Sequence, residues 1–75
     1  MVIVAFRRDK DKLTQVCTKT FKSIAAAKKH IENDAACWLS KHPGIDLGWI
    51  KPKSLDYYCV QEYNGTMCYW QYFEM

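Results

Sequence analysis

Seventy-five residues make one small domain, 1–75, and leave no room for a second hydrophobic core. About half the chain is apolar (49%) and a quarter charged (25%), a balance that excludes a disordered tail or a linker. The net charge of +3 is mild, and apolar runs such as Val2-Ile3-Val4-Ala5-Phe6 fall far short of the ~20 residues that cross a bilayer.

That run has no basic region before it, so it does not read as a secretion signal, and a soluble cytoplasmic protein is expected. The outlying figure is the aromatic content, 15% of so short a chain.

Residues 2–7 read as a first strand, rich in β-branched Val2, Ile3 and Val4. Arg8-Asp9-Lys10-Asp11-Lys12 reads as a charged turn, and residues 13–21 as a second strand closing a hairpin. Ser23 is placed to accept a hydrogen bond from the first turn of a helix over about 24–40. At 100° per residue, Ile24, Ala27, Ala35 and Trp38 fall close to Ile31, one narrow apolar stripe for the face of a sheet. His42-Pro43-Gly44 ends that helix. A short strand over 46–51 follows, stopped by Pro52. The last twenty residues hold Tyr63-Asn64-Gly65-Thr66 between two aromatic runs, the signal of a hairpin with Asn-Gly in a two-residue type I′ turn. The expected fold is α+β: one antiparallel sheet of four to five strands, ordered ββα and then two or three strands, with the helix on one face.

In that hairpin register Glu62 opposes Met67, Val60 opposes Tyr69 and Cys59 opposes Trp70. One face then holds Tyr57, Cys59, Gln61, Cys68, Trp70 and Tyr72; the other holds Tyr58, Val60, Glu62, Met67, Tyr69, Gln71 and Phe73. Cysteine and tryptophan are usually buried, so the first face is assigned to the core. Tyr58, Glu62, Met67, Tyr69 and Phe73 become the candidate partner-binding surface, since Tyr, Phe and Met are enriched at interface cores. Exposed tyrosines also stabilise hairpins by simple cross-strand pairing, and self-association into a homodimer is a further use of the patch.

Charge is segregated along the chain. All eleven Lys and Arg lie within residues 1–53, whereas 54–75 hold only the acids Asp56, Glu62 and Glu74. Arg7, Arg8, Lys10, Lys12, Lys28 and Lys29 are therefore the candidate nucleic-acid contacts. Their separation from the aromatic hairpin favours protein binding over base stacking. Cys17, Cys37, Cys59 and Cys68 lack the close pairs of a zinc site, and free buried thiols are expected, with no metal and no cofactor. His30 and His42 have no nucleophile motif beside them and three glycines leave no phosphate-cradling loop, so no catalytic residue is assigned.

Thr20-Phe21-Lys22-Ser23 leading into an alanine-rich helix, with an aromatic hairpin after it, resembles in layout small phage and mobile-element proteins of the anti-CRISPR type. The Phe21-Lys22-Ser23 junction is also similar to the arm-site DNA-binding domain of phage integrases, a family that places three strands before its helix where this chain has two. The first resemblance implies a non-enzymatic inhibitor in the host cytoplasm. Its partner would be a host protein or nucleoprotein complex, a defence or nucleic-acid-processing assembly whose surface it occupies. The alternative is a small nucleic-acid-binding accessory protein that uses the basic first hairpin and helix.

Overall fold

The computed structural model describes residues 1–10, 13–53 and 55–75, with the backbone alone for 13–15. Its elements are β1 (Val2–Lys10), β2 (Leu13–Phe21), α1 (Ile24–Lys41), β3 (Gly44–Ile50), β4 (Tyr57–Glu62) and β5 (Met67–Glu74). The five strands form one antiparallel sheet in the order β2-β1-β5-β4-β3, and α1 packs across one face. The α+β architecture and the order ββαβββ are those the sequence implies.

β1 runs through Arg8, Asp9 and Lys10, the first part of the expected charged turn, and the rest of that expectation, Asp11 and Lys12, lies outside the described residues. Pairing explains the extension: Arg8 opposes both Gln15 and Cys68, so strands on either side hold the backbone extended. β3 begins at Gly44 rather than 46, because Gly44 pairs directly with Glu62.

The helix starts where Ser23, in extended conformation, accepts a 3.2 Å hydrogen bond from Ala26 N–H. It ends where His42 N–H donates to Trp38 O at 2.7 Å, just before Pro43. Ala27, Ile31 and Ala35 form its buried line, the two alanines letting the helix axis approach the sheet. Beneath them lie Val2 and Val4 of β1, Val60 of β4, and Cys68 and Trp70 of β5. Trp70 is fully buried, and its indole N–H donates to Asp34 on the helix at 2.8 Å. Because β2 and β3 are opposite edges, α1 must cross the whole sheet to connect them.

The hairpin register differs from the expected one by a single residue. Gln61 pairs with Met67, Val60 with Cys68, Cys59 with Tyr69 and Tyr58 with Trp70. The loop is three residues, Tyr63-Asn64-Gly65, closed by Gly65 N–H to Glu62 O and Glu62 N–H to Thr66 O, both 2.9 Å. Gly65 carries a positive φ (92°), and Asn64 Oδ1 accepts from Thr66 N–H at 2.9 Å. Asn64 thus holds the turn through its side chain. One residue of slip sends every side chain of one strand to the other face. Cys59 and Cys68, expected on one face, lie on opposite faces and are both free thiols.

Two glycines separate turn strain from close approach. Gly65 faces open space, so Gly65→Ala costs only the left-handed backbone penalty, about 1 kcal/mol in urea unfolding. A Cβ on Gly44 would lie against the backbone of Gln61 and Glu62, so Gly44→Ala forces β3 and β4 apart. It is expected to cost at least about twice as much as Gly65→Ala in the same measurement.

Candidate functional site

The side of the sheet opposite α1 has no element over it among the described residues. Register assigns to it Ile3, Ala5, Arg7 and Asp9 of β1, Val16, Thr18 and Thr20 of β2, Tyr57, Cys59 and Gln61 of β4, and Met67, Tyr69, Gln71 and Phe73 of β5. Of the five candidate partner-binding residues, Met67, Tyr69 and Phe73 lie here together, with Phe73 46% exposed. Tyr57, which the expected register turned inward, joins them: its ring meets Tyr69 edge-on at 5.5 Å between centroids. The Arg7 guanidinium lies 4.5 Å over the Tyr69 ring and pairs with Asp9 at 3.1 Å, so this face carries little net charge. Cys59, opposite Tyr69, is fully buried even without a helix above it, and burial pushes its thiol pKa upward. Burial also raises the Tyr69 phenol. A shallow depression of about 330 Å³ between Ala5, Arg7, Val16, Leu55 and Tyr57 completes this surface.

Tyr58 and Glu62 are the correction. Both point to the helix side of the sheet, because the three-residue loop pairs Tyr58 with Trp70 and puts Glu62 beside the Val60–Cys68 pair. Tyr58 donates its hydroxyl to Asp46 at 2.6 Å and packs edge-on against Trp49. Its pKa is pushed up to about 12, first by burial and then by the Asp46 hydrogen bond and charge.

Glu62, 5% exposed, is the centre of a charged cluster. Arg8 reaches it through Nε and Nη2, each 3.3 Å from a carboxylate oxygen, and His42 Nδ1 lies 3.6 Å from Oε1. The Cys68 thiol donates to Glu62 Oε2 at 3.7 Å. Trp38 closes the cluster, stacked on His42 at 4.2 Å with the Arg8 guanidinium 5.2 Å from its ring centre. Burial, the Glu62 charge and that hydrogen bond together push the Cys68 pKa up to about 12, so it stays a thiol rather than a nucleophilic thiolate.

The candidate nucleic-acid contacts do not share a surface. Arg8 is held by Glu62 on the helix side, and Arg7 by Asp9 on the open side. Lys28 lies between the Trp49 and Tyr72 rings, 3.5 Å from Asp56, which also accepts the Tyr72 hydroxyl. Lys10 and Lys29 are exposed at different elements, and Lys12 lies outside the described residues. Two of the three acids of the last segment are likewise engaged: Asp56 holds Lys28 and Glu62 holds Arg8. The charge asymmetry of the sequence is therefore met in part inside the fold, by these two pairs. Sequence reasoning missed this because opposite charges some fifty residues apart show no local pattern; the Arg8–Glu62 separation is 54.

Compared with protein-family models, with curated proteins and with solved structures, the chain matches none of them. Among the described residues no helix is long and apolar enough to cross a membrane.

Removing the Glu62 charge leaves Arg8 without its partner in a mostly buried place. Glu62→Gln is expected to lower unfolding stability by about 2 kcal/mol, less than a fully buried pair would lose because Arg8 keeps some contact with water. Alkali should act on the same region. Cys68 and Tyr58 titrate higher in the folded than in the unfolded chain, whose ordinary values are 9.0 and 10.0, so their stabilisation is complete below pH 9 and is lost as pH rises towards 12. Urea unfolding followed from pH 7 to 11 should show a plateau and then a fall, and Cys68→Ala should make the first part of the fall shallower. In the native protein a thiol reagent should modify exposed Cys17 and Cys37 at once, and Cys59 and Cys68 only on unfolding.

Proposed function

We propose that this chain is a non-enzymatic binding module that acts by occupying a partner's surface through the uncovered face of its sheet. The observation that carries this reading is the gathering of Tyr57, Met67, Tyr69 and Phe73 on a face that no described element covers. A one-helix sheet normally shows water a polar face, and aromatic and methionine side chains in its place are the composition of interface cores. The Arg7–Asp9 pair leaves that face nearly neutral, which fits a protein surface better than a phosphate backbone. The absence of a catalytic role is supported by chemistry: Cys59 and Cys68 are buried thiols of raised pKa, and His42 is stacked on Trp38 beside Glu62. The layout resembles that of small anti-CRISPR proteins, and the partner we propose is accordingly a host defence or nucleic-acid-processing complex.

The experiment pairs capture with inhibition. Wild-type protein and a Tyr57→Ser, Tyr69→Ser, Phe73→Ser variant are immobilised, and the proteins retained from a host lysate are identified by mass spectrometry. The same two proteins are added to a reconstituted CRISPR effector and target cleavage is followed. Retention of one complex by the wild type, lost by about tenfold or more in a variant of unchanged circular dichroism, supports the reading. Equal retention by both proteins would sink the face assignment, and undiminished cleavage would sink the defence partner. The nucleic-acid reading is tested by anisotropy of a labelled DNA or RNA oligonucleotide: salt-dependent binding abolished by Arg7→Glu and Lys29→Glu would replace the proposal.

A further inference from the structure

The two edges of the sheet are not alike. β3 carries a register shift at Asp46/Gly48, its Asp46 carboxylate accepts Gly48 N–H at 2.9 Å, and Pro52 follows it. These are the devices that discourage another strand from adding. β2 has none of them: nine consecutive pairs join it to β1 without a shift, and Val16 to Thr20 are all exposed. Its outer backbone groups have no strand beside them among the described residues.

A cavity of about 310 Å³ adjoins this edge on the helix side. It exists because α1 crosses the sheet away from β2: Phe21 is covered by the His30 ring at 4.8 Å, while Cys17 and Lys19, on the same face further along, are exposed. Val4, Phe6 and Trp70 form the apolar floor, and His30 and Trp38 of the helix belong to its wall. The Trp38 indole N–H is buried and has no hydrogen-bond partner among the described residues, which is unusual in a folded chain. Asp34 at the wall is engaged with Trp70 and Arg8 with Glu62, so among the described residues the charge left at the mouth is that of Lys19.

We infer that this groove binds an extended segment of a partner protein that adds to β2 as a sixth strand and places an apolar side chain in the cavity. Main-chain groups of β2 supply the pairing, and alternate side chains of the guest supply the selectivity. A strand beside β2 lies ~4.8 Å beyond it, and an aromatic side chain reaches over the small Cys17 towards Phe6 and Trp38. The guest residue two places from that side chain, on the Lys19 side, faces the same way and meets Lys19, so an alternating guest with an acid on each side of the apolar residue offers one to Lys19 in either strand direction. The groove is on the opposite side of the sheet from Tyr57 and Tyr69, so the inference is independent of the reading given above.

The test uses fluorescein-labelled heptapeptides Thr-Glu-Thr-X-Thr-Glu-Thr with X as Phe, Leu, Trp or Met, titrated with the full chain and read by anisotropy. At least one should bind saturably below about 1 mM, and the X as Ala peptide about tenfold more weakly. The best peptide N-methylated at alternate amides should lose binding, since ladder donors are removed without touching the protein. Lys19→Glu and Cys17→Arg, both at exposed positions, should each weaken binding, while Tyr57→Ser with Tyr69→Ser should not. Backbone amide shifts on titration should fall on residues 16–21 and 30–38. No saturable binding by any peptide overturns the inference, as does an Ala peptide that binds equally well or a shift pattern confined to the open face. Sedimentation that shows a dimer dissociated by Lys19→Glu would assign the edge to a second copy of the chain and overturn it too.

Discussion

A β-hairpin admits no fractional register: a loop of two residues and a loop of three place opposite halves of the same strand against the core. Here the choice is made by Gly65, whose φ of 92° turns the chain after Asn64, and by the Asn64 side chain, which binds the backbone of Thr66. Everything on the hairpin follows from that loop. Glu62 faces inward and must find a cation, which it does in Arg8. Cys68 and Val60 meet under the helix, and Tyr58 swings to Asp46. Tyr57 and Tyr69 turn outward to stand together.

The inward Glu62 settles the electrostatics of the whole molecule. A carboxylate at such depth is costly unless paired and hydrogen-bonded, and Arg8, His42 and the Cys68 thiol surround it. Lys28, Asp56 and Tyr72 repeat the arrangement further along the sheet, with Trp49 as the second ring on the lysine. Two of the three acids at the end of the chain thus fold against bases from its beginning, Glu62 with Arg8 and Asp56 with Lys28. Exposed lysines such as Lys10, Lys22, Lys29 and Lys41 keep the surface basic, while the open face of the sheet is aromatic and carries little charge.

The legible parts of the fold were those written in local periodicity. The Ala27, Ile31, Ala35 line, the Ser23 cap and the stop at Pro43 are all decided within a few residues, and the helix lies where they put it. The β-branched beginning and the aromatic end both form strands for the same reason. The hairpin register was not legible, because Asn-Gly serves a two-residue turn and a three-residue one equally well and the aromatic runs on both sides offer apolar residues at either parity. Met67, Tyr69 and Phe73 kept their shared face since they lie on one strand; Tyr58 and Glu62 lost theirs because they lie on the other. The groove beside β2 was invisible for a different reason: it depends on the angle at which α1 crosses the sheet, which no residue spacing encodes.

In the strand order β2-β1-β5-β4-β3, the last strand is the seam between two separate sequence-local ribbons, β2 with β1 and β4 with β3. Until β5 is in place those ribbons share no edge, and Trp70, the largest fully buried side chain, is missing from beneath the helix. Met75 N–H bonding to Met1 O at 2.9 Å shows the two extremities of the chain meeting at that seam. Closing the core therefore depends on one long-range pairing, of Val2–Asp9 with Met67–Glu74, that joins the two ribbons and brings Trp70 beneath the helix.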